Sequence, residues 1–220
     1  MKNSKLRRIL MLLACAVLLV CLSVGATLAY LTSITSEVQN TFTVGHVAIT
    51  LDEAPTNTDG EVIEGDRRLT NDYHLLPGHE YAKDPTVHVG PNSEDCYVFI
   101  KFYNAIESIE AEENTIADQM ATKGWFLVDG ETDIYYYGTE DAPVKVSKNA
   151  NLVIFEKFTI DGTLQADDIA DFATEKDADG NVLETAEKLI TITAYAIQAD
   201  GFEADAAVIW AAFDTQHPGA

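Results

Sequence analysis

Between residues 32 and 44 the even positions carry Ile34, Val38, Phe42 and Val44, while the odd positions carry Ser33, Thr35, Glu37, Gln39, Thr41 and Thr43. Apolar residues at every second position fall on one side of an extended chain, so the segment reads as a strand with one apolar face. After Gly45-His46 the apolar set moves to the odd positions Val47, Ile49 and Leu51, and this change of phase at a glycine predicts a bulge or corner. Further strands are expected at residues 86–89, 96–103, 125–128, 134–137, 152–160 and 189–197, which are rich in aromatic and β-branched side chains. Asp129-Gly130 and Asp161-Gly162 supply turns between them. Residues 52–76 are polar and turn-rich, and read as an insertion that forms a short hairpin or a long loop. Helical spacing of Ile106, Ile109, Ile116 and Met120 predicts a helical insertion at 105–121, with shorter helices at 166–173 and 203–213. Many short strands with a few inserted helices give an all-β fold, an antiparallel β-sandwich.

The first 29 residues read differently. Lys2, Lys5, Arg7 and Arg8 precede an apolar run over residues 9–24, the charge and hydropathy order of a secretory signal. Small side chains at Thr27 and Ala29 place the cut after Ala29, so that the exported chain begins at Tyr30. An uncleaved membrane anchor is the alternative, because residues 9–31 as a helix would be about 35 Å long against a hydrocarbon core of roughly 30 Å. Leu12-Leu13-Ala14-Cys15 has the look of a lipidation box, but apolar sequence continues well beyond Cys15 and the geometry fits poorly. The remaining chain, residues 30–220, is long enough for one domain with its own core.

Removing the leader leaves 10 Lys and Arg against 36 Asp and Glu, a formal charge of −26. That excludes nucleic-acid or anionic-membrane binding through a basic surface, and leaves the uncleaved leader as the only membrane contact. A strongly acidic exterior keeps an exported protein soluble; it also offers divalent cations a means of removing self-repulsion. Two of the three cysteines lie in the leader, so Cys96 stands alone in the exported part and cannot close an intramolecular disulfide there. Its alternation with Val98, Ile100 and Phe102 makes it a small buried hydrophobe.

Motifs for chemistry are weak. His79-Glu80 lacks the second histidine of a zinc-peptidase helix, since the matching position is Lys83, and His46, His74, His88 and His217 are scattered. Asp177-Ala178-Asp179-Gly180-Asn181 has its glycine fourth, not sixth, and Lys188 in the twelfth place. A turn on Asp179-Gly180 explains it more simply, and Asp177, Asp179 and Asn181 stay as the candidate ligands for a weakly bound calcium ion. No other metal or cofactor is expected. Trp125, Phe126, Tyr135, Tyr136, Tyr137 and Trp210 are read as core and cross-strand pairs, with a sugar-binding face as the alternative.

Taken together, several segments resemble one family. Gly25-Ala26-Thr27-Leu28-Ala29-Tyr30-Leu31-Thr32 and Asn40-Thr41-Phe42-Thr43-Val44-Gly45-His46-Val47 resemble the start of the TasA/camelysin group of exported Gram-positive proteins. Leu76-Pro77-Gly78-His79-Glu80-Tyr81 with Lys83-Asp84-Pro85-Thr86-Val87, and Ser93-Glu94-Asp95-Cys96-Tyr97-Val98, are similar to that group's Pro-Gly turn and following sheet strand. The C-terminal Ile192-Thr193-Ala194-Tyr195-Ala196-Ile197-Gln198-Ala199 and Trp210 resemble its clostridial-type members. The resemblance implies a jelly-roll-like sandwich, a leader removed by a SipW-type signal peptidase, and a biofilm-matrix fibre subunit. Matrix proteins or further copies of the chain would be its partners. Some relatives carry a metallo-endopeptidase label, for which this chain supplies no zinc motif. The expectation is therefore a non-enzymatic, secreted protein of the cell surface or matrix, in which the strand bearing Ile34, Val38, Phe42 and Val44 either pairs within its own domain or adds to the sheet edge of a neighbouring copy and so drives assembly. A camelysin-like endopeptidase and a carbohydrate- or surface-binding module are the alternatives.

Overall fold

A computed structural model describes residues 46–172, 174–176, 182–185 and 190–217. Ala29, Tyr30 and Thr27 at the expected cut, the strand residues Ile34, Val38, Phe42 and Val44, and the ion candidates Asp177, Asp179 and Asn181 lie outside the described residues. In chain order the strands are β1 (Ile49–Asp52), β2 (Glu80–Ala82), β3 (Thr86–Val89), β4 (Cys96–Asn104), β5 (Trp125–Leu127), β6 (Ile134–Tyr137), β7 (Asn151–Val153), β8 (Lys157–Thr159), β9 (Thr174–Lys176), β10 (Val182–Thr185) and β11 (Ile190–Gln198). The helices are α1 (Ile116–Thr122), α2 (Ala166–Phe172) and α3 (Ala206–Gln216), with a 3₁₀ turn at Glu107–Ile109.

Every strand pairing among the described residues is antiparallel, which establishes an all-β fold with short inserted helices. One sheet has the order β1-β3-β7 and another β11-β4-β6-β5, with β2-β8 and β9-β10 as separate pairs. This order leaves the finer jelly-roll expectation unconfirmed.

The nine residues of β4 explain how the layers are held. Cys96, Val98, Ile100 and Phe102 are buried on one face with Val87, Val89 and Leu152 of the first sheet. On the opposite face Tyr97 and Phe99 pack with Ile134, Tyr136, Ile209 and Trp210, so α3 covers the far side of the sheet. Burying each such side chain contributes about 1.5–3 kcal/mol, and burial on both faces makes β4 the central strand of three layers. β11 lies along all of it, from Ile190 opposite Asn104 to Gln198 opposite Cys96.

Three sequence expectations change. Residues 105–121 form a 3₁₀ turn and then α1, not one helix. Glu110 bridges to Ile160, and Asn114 adopts φ 56, which stops a right-handed helix before Thr115. Thr115 and Asp118 then form a capping box that opens α1. Residues 152–160 make two strands, β7 and β8: Ile154 still donates its N–H to the Pro85 carbonyl in the β3–β7 register, but Pro85 has no N–H to return, and the ladder ends at the fully buried Ile154 and Phe155. The last helix begins at Ala206, three residues later than expected, because the Asp205 carboxylate caps it by accepting the Val208 N–H.

Candidate functional site: two open strand edges

Opposite residues in an antiparallel pair alternate between exchanging hydrogen bonds and turning their backbone groups away. Gly90 donates its N–H to Ala48, so Thr50 and Asp52 share that parity and bond to β3, whereas Val47, Ile49 and Leu51 direct their N–H and C=O groups to the other edge. The same parity runs through β11. Ala199 donates to Asp95, so the odd residues of β11 bond to β4, and Ile190, Ile192, Ala194, Ala196 and Gln198 point their backbone groups outward. Neither set has a backbone partner among the described residues. The two edges lie side by side on one flank of the sandwich without pairing to each other.

The insertion expected at 52–76 determines how far the β1 edge extends. Glu53 and Arg68 exchange two backbone hydrogen bonds of 2.8 Å each, on the side that Ile49 and Leu51 leave open. Arg67 holds that arm down. Its Nε donates to Asp52 Oδ1 at 2.5 Å, one terminal nitrogen to Asp84 Oδ2 at 2.8 Å, and the other to the carbonyls of Asp52 and Asp84 and to Thr86 Oγ1. Burial opposes the Arg67 charge, but the carboxylates of Asp84 and Asp52 outweigh it and raise its pKa. Below this arm Glu53 is buried, paired with Lys83 and holding the Asn71 amide at 2.9 Å. Asn71 in turn bonds to the Thr56 N–H and the Ala54 carbonyl.

At the far end of the insertion Tyr81 is fully buried, stacked on Phe158 and edge-on to Tyr73. Its hydroxyl accepts from Leu76 N–H and donates to the His74 carbonyl. Gly60 passes over it with φ 78, where a Cβ would meet the Tyr81 ring at 2.6 Å, so this turn admits no side chain. The insertion is thus a fixed brace and not a passive loop.

The histidines serve separate local contacts. His88 bridges Asp52 Oδ1 at 2.8 Å and Asn151 Oδ1 at 2.6 Å, lying across β1, β3 and β7. His79 Nε2 donates to the Asp59 carbonyl at 2.7 Å, and the His217 ring lies against Phe213. Among the described residues no three His, Cys, Asp or Glu side chains are grouped as a metal site, and no helix is long and apolar enough to cross a membrane. Cys96 is buried, and burial first, then Asp95, pushes its thiol up to about 11. The aromatics divide between two cores: Trp125 and Tyr137 oppose each other on one, and Tyr136 and Trp210 belong to the other.

No protein-family model matches the chain, and neither a curated protein nor a solved structure does.

Asp52 gives the brace a pH dependence of definite sign. Burial works against its charge, yet the hydrogen bonds and charges of Arg67 and His88 prevail and lower its pKa below 3.8. A carboxylate of that kind contributes stability above its unfolded pKa and loses it as the pH falls through the folded value. Urea unfolding below about pH 4 is expected to fall more steeply for the natural protein than for Asp52→Asn, the two curves converging in acid. Parallel curves would remove Asp52 from the account.

Arg67, Asn71, Lys83 and Asp84 are not singled out by sequence reasoning. The adjacent Arg67-Arg68 pair, the only such pair beyond the leader, is the signal that points to them in an otherwise acidic chain.

Proposed function

We propose that this chain is a secreted structural protein of the cell surface or extracellular matrix, a biofilm fibre subunit in which residues 30–44 of one copy add as a strand to an open sheet edge of the next. The observation that carries the reading is the pair of outward-facing backbone rows on β1 and β11, which offer a template for one more strand. The period-two segment before β1 is the matching piece, with its apolar residues Ile34, Val38, Phe42 and Val44 on one side. In this reading a SipW-type signal peptidase cuts after Ala29. Until then the leader holds the strand at the membrane and delays assembly. The charge of −26 on the exported chain keeps free subunits apart, and acid or divalent cations promote their association.

Electron microscopy and sedimentation of protein beginning at Tyr30, compared with protein beginning at Thr43, test this. Filaments from the first and monomers from the second are expected in acidic or calcium-containing buffer. Monomers from both would sink the proposal. Chelator-sensitive cleavage of casein would favour the endopeptidase alternative instead.

A further inference from the structure

We infer that β11, and not β1, is the edge that accepts the added strand, because the insertion closes the β1 edge after Leu51; this rests on the strand-addition reading above. Three observations separate the edges. The first is length. The doubly hydrogen-bonded Glu53–Arg68 pair occupies the outward side of the chain directly after β1, so a strand docking there meets Val47 to Leu51 and then the arm. At about 3.4 Å per residue the described part of that edge offers roughly 17 Å of template, whereas the nine residues of β11 give about 30 Å. A segment of fifteen residues, about 50 Å when extended, gains nearly twice the ladder on β11.

The second is charge. Residues 190–198 carry none, and in the segment 30–44 the charges are Glu37, which lies off the apolar face of Ile34, Val38, Phe42 and Val44, and the new amino terminus at Tyr30, so the apolar faces can meet with little desolvation of ions. The β1 edge instead ends at Asp52, Glu53, Arg67 and Arg68. The third is the space beside the core. Ile190, Ile192, Ala194 and Ala196 lie against the main hydrophobic cluster. These four side chains are only partly buried, so Val38 or Phe42 of an incoming strand would cover apolar surface that the subunit itself leaves exposed.

Proline substitutions distinguish the edges, since proline at an outward-facing position removes a donor that the subunit's own ladder does not use. In secreted, processed protein, Ala194→Pro is expected to weaken assembly about tenfold or more by sedimentation velocity, and Ile49→Pro to leave it within about twofold. Loss of assembly in Ile49→Pro with Ala194→Pro unaffected would overturn the inference. Normal assembly of both, alongside failure of the protein beginning at Thr43, would overturn it too while the strand-addition reading stands. Equal assembly of the Tyr30 and Thr43 forms would remove that reading itself. Should Ala194→Pro not fold, Phe42→Cys paired with Ala194→Cys is the substitute. A ladder of disulfide-linked subunits from this pair, and none from Phe42→Cys with Ile49→Cys, supports β11; the reverse pattern overturns it.

Discussion

Glu53→Gln is expected to destabilise the protein by about 3–5 kcal/mol, the cost of leaving one half of a buried ion pair unmatched. Glu53 and Lys83 expose only 4% and 11% of their side chains, so the Lys83 ammonium would lose its counter-charge where water cannot replace it. The same carboxylate also holds Asn71, which ties down Ala54 and Thr56. A lower urea midpoint at an unchanged slope is the expected measurement. Glu53→Met combined with Lys83→Met should recover much of the loss, since apolar residues of similar volume often replace a buried pair at little cost. A single-variant loss below about 1 kcal/mol would place the pair in the solvated class and remove the brace from the energetics. The variant should also self-associate more readily, because loosening the arm at Arg68 lengthens the exposed edge of β1.

Trp210→Ala tests the third layer and is expected to cost about 3–5 kcal/mol. The indole sits 5.7 Å from Phe99, 5.4 Å from Tyr195 and 5.3 Å from Phe213, centroid to centroid, so its removal uncovers the outer face of the central strand. At about 2–4 °C per kcal/mol for a domain of this size, a thermal midpoint lower by about 10 °C is expected by near-UV circular dichroism. Val208→Ala on the same helix is the control. Val208 is 59% exposed, so its change should fall within about 0.5 kcal/mol. Equal effects of the two substitutions would show that α3 does not cover the sheet.

Much of this architecture is legible in the chain because burial of one strand face leaves a period of two. The expected strands at 86–89 and 134–137 match β3 and β6, and Ile49 and Leu51, read as one apolar set, both pack against the core, while the bulge or corner expected at Gly45 lies outside the described residues. Thr115 and Asp118 likewise have the spacing of a helix start, although the spacing of Ile109 and Ile116 favours a continuous helix on local grounds alone. The brace was not legible. Arg67 joins Asp52 and Asp84 across fifteen and seventeen residues of chain, and although the Arg67-Arg68 pair stands out, no local pattern encodes which of many acidic residues it will meet. The covering of Tyr97 and Phe99 by α3 is equally non-local, being a contact with a helix more than one hundred residues later.

Cys96 gives the protein an internal reporter of its own opening. Its sulfur is fully buried in the middle layer, with the Val146 carbonyl 3.8 Å away, and its thiol stays protonated at neutral pH. Both conditions withhold the thiolate that alkylating reagents and oxidants attack. Residues 30–220, the form left by the proposed cut after Ala29, contain no other cysteine. Its labelling rate would therefore follow the fraction of molecules in which β4 has come away from its neighbours, and the same rate measured in assembled material would tell how firmly each subunit is clasped by the next.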